Sequence, residues 1–432
     1  MLNSFFKLGE SGTDVKTEVT AGLTTFMTMA YIIFVNPAIL SKTGMNFEAV
    51  MMATVLAAGI TTIFMGLFAN YPFALAPGMG LNAYFTFTVV EQMGYSWETA
   101  LGAVFVSGFI FLILTVVRIR EIIVYAIPDA LKLATAGGIG LFLALIGLKE
   151  VGIITSHPST MVTLGDITQS TPIMAVVGTI IIGALMARRI KGAILIGILL
   201  TWIIGLVLGF SQFEGVFGPP PSLEPVLLKL DIMSALEIGF FGIIFAFLFV
   251  DLFDTTGTLV GVAEQGGFIK KDGTFPRVNR ALSADAGGTL LGSLLGTSTI
   301  TCYIESASGV AAGGRTGLTS LVVGILFLLS MFLAPLAQSI PAFATSPALI
   351  IVGMLMLKVV SQINWEDVSD ALPAFVVIIS MPFSYSIATG IALGFIFYPL
   401  VKLLAGKARE VKPTVWVLAV IFVLRFVYLG SL

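Results

Sequence analysis

The sequence predicts an all-α polytopic membrane protein with fourteen transmembrane segments in two inverted repeats of seven, and short extended strands in the third and tenth segments. Three observations carry this. The 432-residue chain is 57% hydrophobic and 11% charged with a mean hydropathy of +1.04, far outside the soluble globular range. Apolar stretches of roughly 17–25 residues, long enough to cross a bilayer, recur in two series of seven. An odd number of crossings per half gives the halves opposite orientation, the plan of many secondary transporters.

The first series falls near 19–40, 49–69, 72–90, 97–117, 129–150, 172–188 and 191–210. The second falls near 237–264, 280–297, 299–314, 315–338, 346–363, 367–382 and 384–404. The tail "PTVWVLAVIFVLRFVYL" is marginal in length and carries Arg425; it reads either as a further span or as a helix in the interface. "YIIFVNPAIL" (31–40) aligns with "AFLFVDLFDT" (246–255), setting Asn36 against Asp251.

Charge placement orients the chain. With the N-terminus inside, the cytoplasmic connections hold Arg118 and Arg120; Arg188, Arg189 and Lys191; Lys270, Lys271, Arg277 and Arg280; and Lys402, Lys407, Arg409 and Lys412. The outer loops hold little beyond Lys42, Lys149 and Lys229, which obeys the positive-inside rule. The first eighteen residues are polar throughout and do not read as a cleaved signal peptide.

Composition also excludes. A net charge of -2 offers no basic stripe for nucleic acid. One cysteine, Cys302, and one histidine, His157, leave no internal disulfide and no Cys- or His-based metal cluster. No cofactor, metal or enzymatic activity is expected. "GVAAGGRTG" (309–317) lacks the ending of a phosphate loop and fits close helix packing better.

Candidate chemistry sits where polar residues interrupt apolar segments. "FVDLFDTTGTL" (249–259) carries Asp251 and Asp254 three residues apart, on one helical face, and "DTTG" reads as a cap or break. An intramembrane carboxylate costs on the order of 2.5 to 3.5 kcal/mol, so it marks a functional site by default. The structural alternative is that Asp254 caps a broken helix while Asp251 bonds a neighbouring span. "YPFALAPGMGLNAYFTF" (71–87) opens with Pro72, Pro77, Gly78 and Gly80 and becomes helix-compatible near Asn82. "GTSTITCYIESASGVAAGG" (296–314) opens with a β-branched run and turns helical near Glu305. Extended backbone followed by half-helices at that depth must line a cavity or be buried in protein, and suits a small polar solute. Glu305 and Asn82 each have a capping alternative. Asp285 reads as a structural acid near the cytoplasmic end of its span, and His157 as part of an outer loop.

"TAGLTTFMTMAYIIFVNP", "APGMGLNAYF", "FVDLFDTTGTL", "TCYIESASGVAAGGRTGL" and "PFSYSIATGIALGFIFYP" resemble the AzgA-like purine permeases of the nucleobase–cation symporter type 2 superfamily, nearly end to end. The resemblance implies proton-coupled uptake of adenine, hypoxanthine or guanine across the cytoplasmic membrane. It divides the chain into a cytoplasmic segment (1–18), a core domain (19–118 and 237–340), a gate domain (119–212 and 341–404), an extracellular loop (213–236) and a tail (405–432).

The resemblance also implies roles. Asp254 falls on the base-binding glutamate of the more distant uracil and xanthine permeases, Glu305 on their second base-binding position, and Asn82 on a position required for transport. Thr258 stands where those relatives have a histidine or acid, so Asp251 is the expected substitute in proton coupling, shared with Asp254. Tyr303 is a candidate to stack on the base. The expected partners are a purine nucleobase, a proton and the lipid bilayer, with a homodimer left open. Rival readings are an anion carrier of the same architecture, opposed by three central acids and the short tail after Lys412, an intramembrane acid protease, and a channel.

Overall fold

The structure, a computed structural model, describes residues 2–117, 127–238, 243–270 and 274–429, without the side chains of Thr256, Tyr428 and Leu429. Arg118, Arg120, Lys271, the expected 118/119 boundary, positions 239–242 of the expected eighth span and 430–432 of the tail lie outside the described residues.

Asp14 accepts the Thr17 N–H and opens α1 (Val15–Met29). After a break at Ala30 and Tyr31 comes α2 (Ile32–Leu40), which contains Pro37. Proline has no N–H and crowds the carbonyl four residues back, here that of Ile33, so α2 tolerates Pro37 only within its first turns after the break. Asn46 caps α3 (Phe47–Phe64), which runs into a π-helical turn and ends at Asn70, φ 53°. Then β1 (Leu75–Pro77) pairs antiparallel with the strand Ile300–Cys302. A short helix, α4 (Met79–Ala83), continues as a π-helical stretch to Gln92, and Ser96 caps α5 (Trp97–Val116).

The chain continues through α6 (Asp129–Glu150), the hairpin β2 (Ile154–His157) and β3 (Met161–Leu164), α7 (Ser170–Ala187) and α8 (Ala193–Val207). The second half holds α9 (Phe245–Gln265), α10 (Val278–Leu295), β4 (Ile300–Cys302), α11 (Ser306–Ala311), α12 (Gly317–Leu329), α13 (Ala342–Leu357), α14 (Val368–Ser384), α15 (Ile387–Leu404) and α16 (Pro413–Leu429). Among the described residues, nine helical stretches are long and apolar enough to cross a membrane, and three shorter apolar helices accompany them.

Two expectations need correction. The β1–β4 strands lie in the third and tenth segments as expected, but the expected outer loop is not irregular: it holds the β2–β3 hairpin, which puts His157 on a strand opposite Met161. The alternating "TSH" and "MVT" around a Pro-Ser-Thr turn is its sequence signal. Nor does "DTTG" break its helix, since α9 runs uninterrupted through Gly257 to Gln265. A helical glycine costs only about 1 kcal/mol, which packing on neighbouring helices overrides.

Packing falls into two groups. In one, α12 lies on α1 and α3, α10 on α3 and α5, α9 on α5, and α11 on α1. In the other, α13 lies on α6, α7 and α8, α14 on α6 and α15, and α7 on α8. Small residues allow the close approaches: a Cβ on Gly353 would meet the Gly140 carbonyl oxygen between α13 and α6. Along the seam, α4 and α9 touch α6, and α9 also touches α15.

Candidate functional site

The β1–β4 pair is the unusual element, because both strands are fully buried and too short to satisfy their own backbone. Buried backbone groups must be paired. Pairing on the inner side extends beyond the strands, with Gly78 N donating to Thr299 O and Tyr303 N to Ala74 O, both at 2.9 Å. The outer edges are closed by threonines from the preceding helices. Thr62 of α3 donates to Leu75 O at 3.0 Å and accepts from Leu75 N at 2.9 Å. Thr289 of α10 donates to Ile300 O at 3.0 Å and accepts from Ile300 N at 3.3 Å. A hydroxyl can do both at once.

Around this pair the structure gathers the residues singled out by sequence. Asp254 of α9 reaches the strands where Gly78 leaves room: a Cβ on Gly78 would lie 2.9 Å from Thr301 Oγ1 and 3.2 Å from Asp254 Oδ2. Glu305 directly precedes α11 and makes no side-chain cap. It accepts instead from the Tyr31 hydroxyl at 2.7 Å. The Tyr303 hydroxyl donates to Pro77 O, so this side chain ties the two strands together while its ring remains beside them. Asn82 accepts from Ser298 Oγ through Oδ1, and its buried Nδ2 has no hydrogen-bond partner among the described residues.

The two aspartates of α9 face different surroundings. Asp251 is 2% exposed and accepts from Thr255 at 3.2 Å; the same hydroxyl lies 3.0 Å from Asp285 Oδ1 on α10. Asp254 and Glu305 remain partly exposed. The capping alternative for Asp254 does not hold, because α9 continues past it. Asp251, in contrast, does share a hydroxyl with a neighbouring helix.

Sequence reasoning missed Tyr31, Thr62, Thr289 and the proximity of Asp285 to Asp251. Tyr31 is a tyrosine in an apolar run, which carries no signal of its own. The threonines are 13 and 11 residues from the strands they close, and nothing in their local context marks them.

Chemically, the site offers two partly open carboxylates to accept N–H donors, one amide with a spare donor, and aromatic rings beside them. Among the described residues, no group of His, Cys, Asp and Glu is arranged to hold a metal ion.

The model of the permease family matches residues 16–393. The chain belongs to that family. This permease is 45% identical to the adenine permease AdeP of Escherichia coli, with 100% of this chain and 97% of that protein covered. It is 46% identical to the guanine/hypoxanthine permease PbuO of Bacillus subtilis, with 96% of this chain and 98% of that protein covered. These relatives agree with the resemblance carried by the motifs. Among solved structures, the transmembrane domain of the cyanobacterium bicarbonate transporter BicA matches with a TM-score of 0.67 at 15% identity, covering 88% of this chain and 97% of that one. That likeness shows the fold alone. The permease is a multi-pass membrane transport protein.

Proposed function

We propose that this permease imports purine nucleobases, adenine or hypoxanthine and guanine, by proton symport across the cell membrane. The observation that carries the reading is the convergence of Asp254, Glu305 and Asn82 on one buried strand pair, in a chain whose full-length relatives are named for adenine and for guanine/hypoxanthine. A purine presents ring N–H donors and acceptor nitrogens on one edge. Carboxylates at Asp254 and Glu305 accept from it, the spare Asn82 N–H donates to it, and the Tyr303 ring covers its face. Asp251, sealed behind Asp254, takes the coupling proton and exchanges it with the open acid through the shared α9 face.

The transport architecture we read is fourteen crossings in two inverted repeats, with the N-terminus cytoplasmic. Three relations support the repeat. Exchanging the halves turns the α3–α12 packing into α10–α5, and the α6–α14 packing into α13–α7, all of which occur. The same exchange turns the Thr62 bridge to β1 into the Thr289 bridge to β4. Asn36, the counterpart of Asp251, bonds Thr54 of α3 at 2.7 Å, as Asp251 shares a hydroxyl with Asp285 of α10. The two packing groups correspond to a core (α1 to α5 and α9 to α12) and a gate (α6 to α8 and α13 to α15), and the purine site lies on the core side of their seam.

The test is uptake of radiolabelled adenine, hypoxanthine, guanine, xanthine and uracil by cells lacking their own permeases, with and without a protonophore at fixed sodium. Saturable purine uptake that collapses with the proton gradient is expected. Accumulation that survives the protonophore and follows sodium would overturn the coupling, and uptake of bicarbonate or sulfate instead would overturn the substrate class.

A further inference from the structure

The helix after the last expected span, α16, is held at one end and leans at the other. At its base, Lys402 of α15 is 2% exposed and binds Asp370 of α14 at 3.0 Å and Glu410, in the turn before α16, at 2.8 Å. In the same turn, Lys407 binds Asp367 at 2.7 Å. These contacts, and the packing of α16 along α15, fasten the helix to the gate group.

Its far half stays on α15 and also reaches the core group. The Phe422 ring lies 5.3 Å from Phe245 and 5.7 Å from Phe249 of α9, and 5.5 Å from Phe395 of α15. One turn further, Arg425 is 8% exposed and lines the same crevice, between α9 and Ala388 and Ile391 of α15. Its Nε has no hydrogen-bond partner among the described residues.

These contacts differ in kind. The base is ionic and covalently continuous with α15. The far contact with α9 is made of edge-to-face aromatic pairs, which stabilise by burial and part without breaking hydrogen bonds. The Arg425 Nε–H works against them, because a buried donor without an acceptor is destabilising. We propose that α16 is a strut that rides with the gate and presses on α9, so that Phe422 favours the arrangement seen here and Arg425 disfavours it. The two together set how readily the groups move past one another. This rests on the core–gate reading above.

Both can be tested with one reporter. A Cβ on Gly192, just before α8 of the gate, lies 3.3 Å from Met27 Cβ on α1 of the core, slightly inside the separation of about 3.5 to 4.5 Å that a disulfide requires. Gly192 has φ 73°, and the backbone strain of a side chain there is common to every variant compared. Neither Met27 nor Gly192 is one of the candidate site residues, and the natural Cys302 is buried. In Met27→Cys, Gly192→Cys protein, the rate of disulfide formation reports how often this arrangement is populated. Oxidation is expected to stop purine uptake and reduction to restore it. On that background Phe422→Ala should slow disulfide formation at least threefold, whereas Arg425→Met should speed it by a similar factor, with base affinity in the reduced proteins within about threefold of the parent. Opposite signs separate a strut from mere loosening of the fold, which would move both variants the same way and overturn the proposal. An oxidised pair that blocks uptake, with equal rates in both variants, removes the strut and leaves the core–gate reading intact. An oxidised pair that still transports removes the core–gate reading, and the strut with it.

Discussion

The Tyr31 hydroxyl donates to Glu305 Oε1 at 2.7 Å, joining the break between α1 and α2 to the start of α11. The bond orients one of the two partly open carboxylates. Tyr31→Phe keeps the ring and removes the donor. Hydrogen bonds to charged groups are worth about 1.5 to 3 kcal/mol, so base affinity should fall roughly tenfold, as in Glu305→Gln. Equilibrium binding to the purified single and double variants checks this: the double variant should lose little more than Glu305→Gln alone, and simple additivity would detach Tyr31 from the site.

Asp254 and Asp251 should separate in function. Asp254 meets the strand pair at Gly78, whereas Asp251 is sealed against Thr255. Asp254→Asn is expected to abolish base binding. Asp251→Asn is expected to bind the base yet fail to concentrate it against a gradient. Binding and gradient-driven uptake measured in one membrane preparation decide the matter; the reverse pattern exchanges the roles, and full transport in both variants makes the pair structural.

Thr62→Val and Thr289→Val each strip a buried strand edge of its one donor and acceptor while keeping side-chain shape. Each unsatisfied group costs about 1 to 3 kcal/mol. Both variants should therefore lower the unfolding temperature in detergent by similar amounts, without changing which base is preferred. A loss confined to one of the two would argue against equivalent roles in the two halves.

Glu18 is buried, and its carboxylate accepts from Arg315 N at 2.7 Å, Thr319 N at 3.1 Å and Thr319 Oγ1 at 2.6 Å, fastening α1 to the start of α12. Glu18→Ala leaves these donors buried without an acceptor, so a loss of about 3 kcal/mol or more is expected from the same principle. Thermal unfolding and membrane yield measure it. A variant as stable as the parent would show that water replaces the carboxylate.

Much of this protein was legible in its residues, because the bilayer imposes local rules. A segment must be long and apolar to cross, and a carboxylate placed in it needs a purpose, so the helical stretches could be read from order alone and Asp254 and Glu305 singled out as candidates. Proline and the β-branched run likewise marked residues 72–77 and 297–301 as extended. What tertiary structure decided is which distant groups close each other's valences. The pairing of Leu75 with Cys302, the threonines that seal the strand edges, the Tyr31 bond and the lean of α16 on α9 join residues tens to hundreds of positions apart. Hydrogen-bond satisfaction in a dry interior is a property of neighbours in space. Helix continuity through "DTTG" was decided the same way, by the packing around α9 outweighing one glycine's local preference.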